Sequence, residues 1–216
     1  MAKNTKTSQS KNNTSTNHQN GTTSTGGGKT SGSSGTVSAA TTGGIPNGTV
    51  NTFPALPWTE IAPEMIAYGP GDVMLTIDHT INSKAMIQKM KDANLFDYDR
   101  VVFIIHGFWG NSRSKWIHDL KDKFLAESDQ TFVIIGWGKG AELPAYKYAQ
   151  AVSNAEPVGK WLGNNILEMK RKIGNKIKIW GIGEGIGAHI MGHAGRLSHA
   201  FWRITGKSLK ETKLIN

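Results

Sequence analysis

Two runs with no polar interruption, Val101-Val102-Phe103-Ile104-Ile105 and Phe132-Val133-Ile134-Ile135, set the tightest limit on how this chain can fold. A strand with one wet face alternates apolar and polar residues, because successive side chains point to opposite sides. These runs do not alternate and are short for buried helices, so each reads as a strand covered on both faces by helices. Strands are expected at Asp72–Asp78, Arg100–His106, Thr131–Trp137 and Lys176–Ile182, with a shorter one near Trp202–Thr205. Helices are expected at Ser83–Ala93, Ser112–Glu127, Pro144–Lys172 and Ile186–His199. Asn82 or Ser83 would cap the first helix and Asn111 or Ser112 the second. Pro157 should kink the third or start a new one there. The alternation of strands and helices implies an α/β domain with a mainly parallel, right-handed sheet.

That pattern begins only after Pro54. The first acidic residue is Glu60, and before it Lys3, Lys6, Lys11 and Lys29 stand among Ser, Thr, Asn and Gly. The chain therefore divides into a low-complexity basic arm, residues 1–53, and a globular part, residues 54–216, long enough for a true core. The arm is expected to be disordered or extended, since it cannot bury enough apolar surface to offset about 1–2 kcal/mol of backbone entropy per residue. It reads either as a solubilising linker or as an arm that orders against a partner. Of the formal charge of +9, the arm supplies +4 and the remainder +5. Four dispersed lysines give no strong nucleic-acid signal, because affinity from phosphate neutralisation grows with the number of phosphates engaged. No apolar run has the length of a signal peptide or a membrane span, so an intracellular chain is expected. The sequons at Asn12, Asn13, Asn20 and Asn47 then carry no meaning, and the lack of Cys agrees with that setting.

In open α/β sheets, sites form at the carboxyl ends of strands. Two such ends stand out here: His106-Gly107-Phe108-Trp109-Gly110, and the glycine-rich stretch Gly181 to His189. The second has the form of a nucleophile elbow, G-x-S-x-G, a sharp turn that lifts its central side chain above the sheet. Gly183 and Gly187 frame it, Glu184 and Ile186 flank its centre, and the centre is Gly185. Glycine suits a strained turn and brings no nucleophile. A dinucleotide fingerprint, Gly183-x-Gly185-x-x-Ala188, is a rival reading. It asks for an acidic residue about 20 positions on and a second βαβ half, where this chain has Ile204-Thr205-Gly206-Lys207-Ser208. His189 and His193 have a spacing that can bind zinc, without an evident third ligand. With His106 they read as histidines of the fold, and no metal or cofactor is expected.

In order along the chain, these residues resemble the pancreatic-lipase-like α/β-hydrolase family. Val102 to Phe108 is similar to the family's oxyanion strand, Gly136-Trp137 to its V-D-W strand end with Gly for Asp, and Val158-Gly159-Lys160 to its V-G-x-E helix. Gly187-Ala188-His189, Gly192, Ala194-Gly195-Arg196 and Arg203-Ile204-Thr205-Gly206 are similar to its G-A-H-x-x-G-x-A-G and R-I-T-G block. The resemblance puts the nucleophile at Gly185, the acid at Ser208, and the oxyanion amides at Phe108 and Ile186. It puts the catalytic His well downstream, beyond Asn216. Gly183-Glu184-Gly185-Ile186-Gly187-Ala188-His189 looks closest to the yolk proteins of higher flies, which have Gly in place of the serine and store nutrient; they are secreted and longer than this chain.

The reading that follows is a degenerate triad in a truncated lipase-like domain, hence not a working hydrolase. Self-association into a structural or storage assembly is expected, such as a virus particle or an intracellular protein crystal. Its anchors would be Trp58, Trp109, Trp116 and Trp202 and an unpaired sheet edge. One alternative is a lipid- or ligand-binding module with Phe108, Trp109 and Ile186 lining the old cleft. Residual esterase activity through another residue is the other.

Overall fold

A computed structural model describes residues 53–207; the expected arm, save Phe53, and Ser208 lie outside the described residues. Six strands form one sheet: β1 (Glu64–Gly69), β2 (Val73–Asp78), β3 (Arg100–Ile105), β4 (Thr131–Gly136), β5 (Lys178–Glu184) and β6 (Phe201–Lys207), in the order β2-β1-β4-β3-β5-β6. Pairings β4–β3, β3–β5 and β5–β6 are parallel, and β1 runs antiparallel to both β2 and β4. The two apolar runs are the central pair, and they face both ways as expected. Val101, Phe103, Ile105, Val133 and Ile135 enter one buried cluster, and Val102, Ile104, Phe132 and Ile134 the other.

Helices α2 (Ser83–Asp92), α5 (Tyr148–Ile173) and α6 (Ile186–Ser198) pack into the larger cluster, and α3 (Lys115–Glu127) into the smaller. Two single-turn helices, α1 (Trp58–Ile61) and α4 (Gly138–Ala141), and a 3-10 turn at Ala145–Lys147 complete the order. Asn82 caps α2 by accepting from the Ala85 amide at 2.9 Å, while Ser83 instead donates to Asn165 of α5. The second expected cap is wrong. The helix begins at Lys115 rather than Ser112, because Asn111 turns the chain onto the Arg113 amide and Ser112 donates to Glu64. Nor does a new helix start at Pro157, since α5 passes through it without interruption.

Strand β1 was not anticipated. Its alternating pattern is muted, with Met65, Ala67 and Gly69 buried on one face and Ile66 and Tyr68 packed on the other. The turn at Pro70-Gly71-Asp72, with positive φ at Gly71 and Asp72, folds it onto β2.

Candidate functional site

The carboxyl ends of β3 and β5 meet in parallel register, Ile105 beside Gly183, which brings the two unusual segments together. At the corner between β5 and α6, Gly185 has φ 52° and ψ −119°. An L side chain is strained in that region, so the corner suits glycine, and its apex presents no side chain. The framing glycines are steric necessities. A Cβ on Gly183 would sit 2.5 Å from the Ala188 Cα, and one on Gly187 would sit 2.6 Å from the carbonyl oxygens of Ile105 and His106. The corner is held by the Gly185 amide donating to Lys207 O at 2.9 Å, and Gly185 O accepting from Ala188 N at 3.1 Å.

Glu184 reaches from the elbow to the other loop, its Oε2 accepting from the Gly107 amide at 3.4 Å. The amides of Phe108 and Ile186, the expected oxyanion donors, have no acceptor among the described residues. Ser208, the expected degenerate acid position, lies outside the described residues.

The expected apolar wall is different from the one observed. Phe108 stacks on Trp109 at 5.2 Å and meets Tyr148 edge-on at 5.1 Å. Trp109, at φ 64°, is pinned by its amide on Ala141 O and its Nε1 on Leu143 O. Neither lines the cleft of about 580 Å³ beside the elbow; Ile186 does, with Tyr148, Val152, Ala155, His189 and His193. Sequence reading missed Tyr148 and Val152, whose signal was an i, i+4 apolar pair off the buried stripe of α5.

His106 is a buried structural group. Its Nε2 accepts from the Trp137 amide at 3.1 Å, its Nδ1 donates to Gly107 O at 3.0 Å, and its ring stacks on Trp137. Burial pushes its pKa down to about 4, against the opposing effect of the Gly107 bond. His193 bonds Arg196 at 2.8 Å. Among the described residues no group of three His, Cys, Asp or Glu could hold a metal. Where the resembled family has an Asp, Gly136 leaves room for Glu64, its partner on β1, which accepts from Ser112 Oγ at 2.7 Å.

The chain is 28% identical over 156 residues to the inactive pancreatic lipase-related protein 1 of Homo sapiens, covering 70% of this chain and 32% of that protein. It is 30% identical over 155 residues to phospholipase A1 2 of Dolichovespula maculata, covering 65% and 49%. With lipase member H-A of Xenopus laevis it shares 33% over 109 residues, 50% of this chain and 23% of that one. The chain thus spans less than half the length of these relatives, whose names include both an inactive protein and enzymes. The family model described as Lipase matches residues 73–212, the span that carries five of the six strands, all but β1, and the corner at Gly185. This chain belongs to the lipase family.

Proposed function

We propose that this chain is a catalytically inactive lipase-fold protein that acts as a structural or storage component by assembling with copies of itself. Gly185 carries the loss of catalysis, because the apex of the elbow has no oxygen to attack an ester. Removing the nucleophile of such a triad costs on the order of 10⁶-fold in turnover. Hydrolysis of a p-nitrophenyl ester is therefore expected at the rate of buffer alone, and turnover that survives Gly185→Ala would overturn this.

Self-assembly is supported by the two ends of the sheet. Among the described residues β2 and β6 are each paired on one side only, and an unpaired edge is a template for another strand. Met74 on β2 is 64% exposed and Ile204 on β6 is 43% exposed. Asp72 and Asp78 bracket the first edge and Arg203 and Lys207 stand on the second, so the edges of two copies are complementary in charge. Such a head-to-tail contact repeats, as a particle or a crystal requires. Sizing and electron microscopy of the full-length protein test the reading. Mass is expected to grow with concentration and to fall to monomer with Met74→Lys and Ile204→Lys; a wild-type monomer at every concentration refutes it.

The cleft beside the elbow favours a second reading, an apolar ligand bound without turnover. Mass spectrometry of the purified protein would find a co-purifying lipid, and neither a bound lipid nor saturable fatty-acid uptake removes this reading.

A further inference from the structure

Charge in the described domain is divided by position. Residues 60–168 hold 11 basic and 14 acidic side chains, whereas residues 169–207 hold eight basic and one acidic, Glu184. Seven of the eight cluster because of the fold, while Lys207 closes β6 at the far end, opposite Glu184. In parallel α/β units each helix ends where the next strand begins, so the last turn of α5, the start of β5, the last turn of α6 and the start of β6 share one end of the sheet. Arg171, Lys172, Lys176 and Lys178 are exposed at that end, with Arg196 and Arg203 beside them.

Helix C-termini favour cations, which accounts for Lys170, Arg171 and Lys172 on α5 and for Arg196 on α6. It does not account for Lys176, Lys178 or Arg203. Of the eight, Arg171 alone has a carboxylate within 4 Å among the described residues, a 3.5 Å approach to Glu168. In the preceding segment Lys115, Lys121 and Lys160 are paired. Asp97 and Asp99 precede β3, the strand beside β5; the carbonyl of Asp99, not its carboxylate, takes the Lys178 amide.

An indole stands in the middle of this surface. Trp202 is 56% exposed at an irregularity in the β5–β6 pairing, with Lys178 Nζ 5.6 Å from its ring centre. One residue on, the Arg203 guanidinium lies 5.0 Å from the ring of Trp180, its pairing partner on β5. Cations unpaired by carboxylates attract a polyanion of any kind, and an exposed indole among them suits an anion that also carries flat π-faces. A phosphate backbone with unpaired bases does.

We propose that this end of the sheet binds single-stranded nucleic acid, with Trp202 stacking on a base and Lys176, Lys178, Arg171 and Lys172 along the phosphates. This goes beyond the self-assembly reading and stands if that one fails. The arm lysines, too dispersed to argue for such binding alone, would add to it.

Fluorescence anisotropy of a labelled oligodeoxythymidine with the full-length protein tests the proposal. Binding is expected to weaken linearly in log salt. Trp202→Ala should weaken it about tenfold at fixed salt, and Trp202→Phe should recover most of the loss. Lys176→Glu with Lys178→Glu, both at exposed positions, should flatten the salt slope by about 0.7 for each phosphate that is no longer neutralised. Heparin fragments and polyglutamate serve as comparators, and Trp202→Ala should leave their binding unchanged. The proposal is overturned by an absence of binding at low salt, or by indifference to Trp202 and to both lysines. It is equally overturned if heparin or polyglutamate responds to Trp202→Ala as the oligonucleotide does, because the indole would then not be reading bases.

Discussion

His106 and Trp137 hold each other in two directions, since the indole Nε1 also donates to His106 O at 2.9 Å. A charged imidazole has no place in that pairing, and burial lowers the pKa of His106 from 6.5 to about 4. The folded state therefore prefers the neutral ring. Its contribution is complete above pH 6.5 and is lost as pH falls toward 4, at about 1.4 kcal/mol per unit and about 3 kcal/mol in all. Chemical denaturation across that window should show the loss, and His106→Gln should remove it; an unchanged slope in the variant would refute the assignment. Gly185 permits a second prediction. Any side chain at φ 52° is strained, so Gly185→Ala should destabilise the domain by about 1–3 kcal/mol. Gly185→Ser should also leave ester hydrolysis at background, because a hydroxyl without an aligned base is a poor nucleophile.

Helices α5 and α6 approach closely because small residues line the seam between them. A Cβ on Gly159 would stand 2.6 Å from His193 Cβ, and one on Gly163 would stand 3.1 Å from Ala194 Cα. At an exposed helix position Gly→Ala gains about 1 kcal/mol from propensity. Here overpacking opposes that gain at about 1–3 kcal/mol, so Gly159→Ala is expected to lower the denaturation midpoint, and a raised midpoint would mean that the helices have room to separate. Asn154, fully buried on α5, binds Gly140 O and accepts from the Leu56 amide, so the segment entering the domain is tied to the helix that walls the cleft. Asn154→Ala should cost about 1–3 kcal/mol, as expected when buried partners lose their bonds.

Across the described domain, Asp72 and Asp78 flank β2 at one edge of the sheet, and Arg203 and Lys207 stand on β6 at the other. Opposed exposed charges are screened by salt, over about 10 Å at 0.1 M and about 3 Å at 1 M. If edge pairing drives assembly, light scattering at fixed protein concentration should fall as NaCl rises. Scattering that rises instead would assign the interface to apolar surface alone.

The amino-acid order alone was enough for the buried strand pair, because a run such as Val101–Ile105 leaves no wet face, and for the tight corner between β5 and α6, because the spacing of Gly183, Gly185 and Gly187 is a local steric code. Strand β1 was illegible, since Ala67 and Gly69 fill a core position without an apolar signal. The cleft wall at Tyr148 and Val152 was decided by packing, which turned one side of α5 toward the elbow and left Trp109 pinned elsewhere. The same holds for Glu64 beside Gly136 and for the gathering of Lys176, Lys178 and Trp202 at one end of the sheet. Neighbours distant in sequence meet only when strand order and register are set, and no local pattern encodes those.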